Sequence, residues 1–114
     1  MKRRVLTGWN SGSAEQIPPT WNPGEGDEGE VLKGIIVDIK RGVPTRVGKP
    51  NDLIVVKRPD GSLVTVWKQT VLEKYFDGKE GTRQFKVGDA IAIQYLGRVR
   101  GKRGTYKNYR VAIA

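Results

Sequence analysis

Five short segments rich in Val, Ile and aromatic residues, separated by stretches that contain Gly, most constrain the fold of this chain. Runs of this kind with a two-residue alternation are typical of β-strands that bury one face. The sequence therefore predicts five strands, and Pro59–Asp60–Gly61 predicts a tight turn between the second and the third. Gly34, inside the first segment, predicts a bulge or a sharp bend. The five predicted strands are residues 31–40, 52–58, 62–67, 90–96 and 105–113.

Residues 70–78 break the two-residue period and predict the one helix. Thr70 and Glu73 have the spacing of a capping box, in which each side chain bonds a free backbone N–H of the other residue. Gly78 follows Asp77 and can end a helix in the left-handed conformation. We therefore expect a short helix over residues 71–77. Its apolar stripe comprises Leu72, Tyr75 and Phe76.

The order of these elements, β-β-β-α-β-β, is that of the OB-fold, a five-stranded Greek-key barrel. The predicted fold class is all-β, with a short capping helix between strands 3 and 4. An SH3-like barrel is the alternative, and the position of the helix favours the OB-fold. Residues 30–114 form the predicted OB-fold domain. Residues 1–29, rich in Gly, Pro, Ser and acidic residues, are predicted to be an irregular arm whose Trp9 and Trp21 dock on the barrel or on a partner.

The charge is concentrated outside the arm. The chain carries 21 basic and 12 acidic residues, a net charge of +9. The first 30 residues have a net charge of −2, so residues 31–114 carry +11. A domain this basic attracts polyanions, nucleic acid first.

Residue types missing from the chain narrow its chemistry. There is no Cys and no His, which removes thiolate metal sites, the commonest general base and the commonest metal ligand. We expect no cofactor, no metal and no enzymatic activity, since the Asp residues fall mostly at strand ends and turns. No apolar run approaches the roughly 18 residues of a membrane span, and none resembles a secretory signal. A cytoplasmic location, in a host cell if the protein is viral, is the expectation.

Basic residues cluster where an OB barrel binds oligonucleotides. That fold uses the face of strands 2 and 3, framed by the loop between strands 1 and 2 and the loop between strands 4 and 5. The first loop and its edge supply Lys40, Arg41, Arg46 and Lys49, and the second supplies Arg98, Arg100, Lys102 and Arg103. Strand ends and strand 5 add Lys57, Arg58, Lys68, Lys107 and Arg110, of which the first three also fit ordinary solvated charges.

Two aromatic residues are candidate platforms for bases. Alternation with Val64 and Val66 sends Trp67 outward from strand 3, where it either stacks on a base or packs on the helix. In strand 5, Tyr106 faces outward and is either a stacking ring or an idle surface ring. Tyr95 and Tyr109 are expected to face the core.

Three stretches resemble the small OB-fold single-stranded-DNA-binding proteins of tailed bacteriophages. They are "WNPGEGDEGEVLKGIIVDI", "DGSLVTVWKQTVLEKYF" and "VGDAIAIQYLGRVRGKRGTYKNYRV", which together span about residues 20–113. The resemblance implies binding of single-stranded DNA in replication or recombination, without catalysis. Many bacterial-type relatives recruit partners through an acidic C-terminal tail. The last residues here, "RVAIA", are not acidic, so the resemblance does not extend to that mode of recruitment.

The leading hypothesis is therefore largely sequence-independent binding of single-stranded DNA. RNA binding by the same face is the first alternative, because contacts to the 2′-hydroxyl cannot be predicted from sequence. The second alternative is a protein-interaction or structural adaptor. In that case the arm contacts a replication or recombination protein, or a second copy of the chain, since the sequence leaves the oligomeric state open.

Overall fold

One antiparallel sheet of five strands dominates residues 17–114, the part of the chain that the computed structural model describes. The architecture is mostly β, as predicted, with one short α-helix, α1 (Glu73–Asp77). The sheet order is β3-β2-β1-β4-β5. The strands are β1 (Val31–Val43), β2 (Asn51–Lys57), β3 (Leu63–Trp67), β4 (Ala90–Gly101) and β5 (Gly104–Ile113).

β1 joins the two halves of the sheet. Its residues Val31–Ile35 pair with β4, and from Ile35 onward it pairs with β2. Gly34 lies where the partner changes, and a Cβ there would lie 2.3 Å from the backbone oxygen of Lys57. The register is continuous at Gly34, so the predicted bulge is wrong there, and Gly34 instead allows a close backbone approach. The register with β2 shifts between Ile36 and Asp38 and again between Lys40 and Val43.

The alternating apolar residues of all five strands face one core. The prediction that Val64 and Val66 point inward is confirmed, and so is the inward position of Tyr95 and Tyr109, which are 1% and 5% exposed. Phe85, between α1 and β4, packs edge-on against Phe76 with ring centroids 5.5 Å apart. The other buried side chains of this cluster are Trp21, Leu32, Ile36, Ile54, Val56, Leu72, Ile91 and Ile93.

Trp21 contacts both edges of the sheet. In residues 17–114 the edge strands β3 and β5 are not hydrogen-bonded to each other. The backbone N–H of Trp21 donates to Thr65 O in β3 at 2.8 Å, and its ring centroid lies 5.8 Å from that of Tyr109 in β5. The indole is 5% exposed and donates to Glu30 Oε1 at 2.7 Å. Trp21 therefore docks on the protein's own sheet, whereas Trp9 lies outside the described residues.

The helix is confirmed, but the predicted capping box is wrong. Thr70 lies inside a 3-10 turn, Thr70–Leu72, and no side chain caps either that turn or α1. Gln69 occupies the N-cap position, and its Oε1 accepts a hydrogen bond from the hydroxyl of Tyr109 at 3.0 Å. Gly78 ends the helix at φ +67°, as predicted. Across residues 17–114, no helix is both long and apolar enough to cross a membrane.

The predicted turn over residues 97–104 is wrong, because both strands continue through it. A register shift between Tyr95 and Gly97 absorbs Leu96, after which β4 and β5 pair again from Gly97–Asn108 to Gly101–Gly104. Only Lys102 and Arg103 lie at the tip. The glycines that suggested a turn accommodate positive φ within the strands, +101° at Gly97 and +123° at Gly104.

We predict that Gly34→Ala destabilises the protein by about 2 kcal/mol or more, since the new Cβ meets backbone that cannot rotate away. Urea unfolding should show a lower midpoint with an unchanged slope. Gly24→Ala is the matched control, because no atom lies within 4 Å of its added Cβ. Equal stability of the two variants would contradict the close approach at Gly34.

Candidate nucleic-acid interface

The outer part of β4 and β5, Arg98–Lys107, forms what we call the basic hairpin. Arg98 pairs directly with Lys107, and Arg100 pairs with Thr105. Directly paired residues lie on the same face of a sheet. Lys107 Nζ lies 6.0 Å from the ring centroid of the core residue Tyr95. Arg98, Arg100 and Lys107 therefore lie on the same side of the sheet as the core residues, but past the end of the core. We call this side of the basic hairpin the continued core face.

Cations of the basic hairpin have no acidic partners among residues 17–114. Every ion pair in this part of the chain involves a cation elsewhere. Lys107 has a neutral partner, since its Nζ donates to Asn22 Oδ1 at 2.5 Å. Like charges placed opposite each other destabilise a strand pair. An external polyanion would relieve this repulsion. The five cations are Arg98, Arg100, Lys102, Arg103 and Lys107.

Tyr106 lies on the opposite face of the basic hairpin from Arg98 and Lys107. It pairs with Val99 and shares its face with Arg110, as the alternation predicted. Its ring covers Gly101, where an added Cβ would lie 2.9 Å from Tyr106 Cε1. Tyr106 is therefore not interleaved with the cations of the continued core face.

Trp67 lies on the outer face of β2 and β3, as predicted. It is opposite Leu53, and both are on the face that points away from the main core. Leu53, Val55 and Val43 form a second, small apolar cluster, and Trp67 packs against it rather than against α1. The indole is half-buried, so part of the ring faces solvent.

Arg41 and Lys68 belong to a cluster of four charges. Arg41 Nη1 lies 2.7 Å from Asp52 and 2.9 Å from Asp77, and Lys68 Nζ lies 3.1 Å and 3.5 Å from the same two carboxylates. Arg41 also donates to the backbone oxygen of Phe76. It lies in β1 rather than in the predicted loop. Both cations are thus already neutralised by groups that join β1, β2 and α1.

The environment of Asp52 favours its charged form. The backbone N–H of Gly42 donates to it at 2.9 Å and lowers its pKa to about 2, with further contributions from Arg41 and Lys68. Its side chain is 14% exposed. Hydrogen bonding to Asp52 in turn raises the pKa of Arg41 and of Lys68, and Arg41 lowers the pKa of Asp77. The cluster therefore holds all four groups charged at neutral pH.

The other predicted cations do not join the basic hairpin. Lys40 is on the outer face near Trp67 and lies 3.4 Å from Asp38. Because β4 runs antiparallel to β1, the basic hairpin extends past Val31, whereas the loop between β1 and β2 follows Val43. The strand pairing thus directs the β1–β2 loop and the basic hairpin to opposite ends of β1, and it does not bring them together as expected. Arg46 and Lys49 are exposed in that loop, Lys57 is exposed at the end of β2, and Arg58 lies in the next turn.

Sequence reasoning missed residues 17–20, which we call the strap. Thr65, in β3, is 0% exposed because the strap covers it. Its N–H donates to Pro19 O and its Oγ1 donates to Pro18 O, both at 2.8 Å. Thr20 forms a parallel bridge with Thr65, and Ile17 packs on the small apolar cluster beside Trp67. The "IPP" tripeptide was the available signal, since an extended apolar segment without backbone donors suits a sheet surface.

Comparison with known proteins identifies no relative. The chain matches no family model, no curated protein and no solved structure. Membership of the phage single-stranded-DNA-binding proteins, which the sequence resembles, stays a prediction.

We predict that Asp52→Asn changes how the free energy of unfolding depends on pH below about pH 4. A folded-state pKa near 2, below the ordinary 3.8, contributes stability that is present above about pH 4 and is lost as the pH falls toward 2. The variant should be less stable than the parent at pH 7, and the difference should shrink between pH 4 and pH 2. Urea unfolding at a series of pH values measures both proteins. A difference that stays constant down to pH 2 would contradict the assignment.

Proposed function

We propose that this protein binds single-stranded DNA, largely without regard to base sequence, through the basic hairpin and Trp67. Cations that contact phosphates release condensed counterions, which supplies sequence-independent affinity. Aromatic side chains add affinity by stacking on any base. The resemblance in the sequence extends the proposal to replication or recombination in a phage.

The observation that carries the proposal is the set of five cations on one hairpin with no acidic partner among the described residues. A positive surface whose cations form no ion pairs of their own attracts a polyanion and steers its approach. The contrast with Arg41 and Lys68 is informative, because those two cations lie within 4 Å of carboxylates of the same chain. The interface that we propose omits them.

We also propose that the sheet is an OB-fold barrel. The order β3-β2-β1-β4-β5 and the helix between β3 and β4 support this fold. Further support comes from β1, which pairs with β2 and β4 on either side of Gly34. Trp21, in contact with β3 and β5, would fill the remaining gap between the edge strands.

Trp67 is the stacking residue in this proposal. It is the half-exposed aromatic residue on the outer face of β2 and β3, where OB-folds bind oligonucleotides. The residues around it connect to the basic hairpin, since Thr20 bonds Trp67 and Asn22, two residues later, bonds Lys107. A strand of DNA that follows this course would contact cations first and the indole next.

We predict that binding of oligo-dT weakens steeply with salt, with a slope of log affinity against log salt near −3 for about four phosphate contacts. Arg98→Gln and Lys107→Gln should each flatten that slope by about 0.7 and weaken binding mainly at low salt. Fluorescence anisotropy of a labelled oligonucleotide at several salt concentrations measures both quantities.

The matched control for charge is Lys86→Gln, which removes one exposed cation that precedes β4, at the end of that strand opposite the basic hairpin. It should leave the slope unchanged. A salt-independent affinity, or equal effects of Lys86→Gln and Arg98→Gln, would contradict the proposed interface. A parallel titration with oligo-U compares RNA with DNA. If oligo-U binds more tightly, RNA rather than DNA is the ligand.

We predict a different signature for Trp67→Leu. The change keeps an apolar side chain but removes the flat ring, so binding should weaken by about 1 kcal/mol or more at every salt concentration, with an unchanged slope. Thermal unfolding of the variant checks that the sheet is intact. Full retention of affinity in a folded Trp67→Leu protein would remove the indole from the interface.

A further inference from the structure

The strap, residues 17–20, lies across the same part of the sheet that carries Trp67. Ile17 packs on the apolar cluster of Val43, Leu53 and Val55. Thr20 Oγ1 accepts a hydrogen bond from Trp67 Nε1 at 3.2 Å. Just after the strap, Asn22 Oδ1 accepts one from Lys107 at 2.5 Å. The chain therefore contacts, with its own residues, both groups to which the proposed function assigns DNA contacts.

In these contacts, oxygen atoms of the strap accept hydrogen bonds from donors of β3. Three donors of β3 point at the strap, the N–H and Oγ1 of Thr65 and the Nε1 of Trp67. All three acceptors are oxygens, from Pro18, Pro19 and Thr20. Phosphates and base carbonyls also present oxygens to side-chain and backbone donors. The donors that hold the strap are therefore of the kind that an oligonucleotide's oxygens also accept from.

Lifting the strap breaks the three hydrogen bonds from Thr65 and Trp67, and a ligand that presents oxygens can replace them. Pro18 and Pro19 have no backbone N–H, so lifting them leaves no donor of their own without a partner. The next residue, Trp21, is a fixed point, because its side chain is 5% exposed in the core and its indole is bonded to Glu30. Residues 17–20 can therefore move off the sheet while Trp21 and the core around it stay in place.

We propose that the strap is a built-in competitor that covers the nucleic-acid-binding face in the free protein. An oligonucleotide reaches Trp67 and the apolar cluster beneath Ile17 when residues 17–20 are displaced. The strap lowers the affinity that the exposed face would have. This inference rests on the proposed function, since it assigns a regulation to the same site.

The test locks the strap with a disulfide in the double variant Thr20→Cys/Thr65→Cys. The two positions are bridge partners, and neighbouring strands about 4.8 Å apart suit the geometry of a disulfide. The natural chain contains no Cys, so one bond forms. The oxidised protein should bind an oligo-dT of about 15 nucleotides roughly tenfold more weakly than the same protein after reduction. The single variant Thr65→Cys is the control and should show no response to reduction.

A second variant opens the strap without a new bond. Ile17→Ser removes the apolar anchor and should tighten oligo-dT binding about threefold to fivefold. Val47→Ser is the matched control, because Val47 is 89% exposed in the loop between β1 and β2, and it should leave the affinity unchanged.

The outcomes separate the two proposals. Equal affinity in the oxidised and reduced double variant, with no gain in Ile17→Ser, overturns the competitor while the basic hairpin still binds DNA. Absence of oligo-dT binding in every form, including Ile17→Ser, overturns the proposed function and the competitor with it.

Discussion

Burial of Trp21 between the two edge strands is the interaction on which the rest of the structure depends. Its backbone N–H bonds β3, and its ring packs against Tyr109 of β5. Tyr109 in turn packs on Tyr95 of β4, so three rings in contact connect β3's partner Trp21 with β5 and β4. Large aromatic rings in such tilted contacts bury much apolar area per residue. The same residue, Trp21, is where the strap joins the core, since Thr20 precedes it directly and bonds Trp67.

The sequence was sufficient for the elements whose pattern is local. Alternation located all five strands within a few residues except at the basic hairpin, and it assigned Val64, Val66, Tyr95 and Tyr109 to the core. The apolar stripe of α1 was equally local, since Leu72 and Phe76 are neighbours on one face and both are buried. Register within a strand follows from which side chains are apolar, and that information is in the residues themselves.

Features that depend on distant partners could not be predicted in this way. The capping box failed because the Gln69 side chain bonds Tyr109, 40 residues away, and Thr70 starts a tighter turn. The strands of the basic hairpin were predicted too short because Gly97 allows a bulge that restores pairing, which a glycine pattern does not distinguish from a turn. Arg41 was placed among the DNA-binding cations because nothing in its neighbourhood in sequence indicates Asp77, 36 residues later.

Attachment of the strap to a buried anchor has a consequence for how the face is covered. A tethered segment meets its surface at an effective concentration set by the length of the tether, on the order of millimolar for short flexible links. Here the tether is a single peptide bond from Thr20 to Trp21. The contact is intramolecular, so coverage of the face does not depend on the concentration of the protein. In the competition proposed above, the amount of free nucleic acid, and not the amount of this protein, would change the balance.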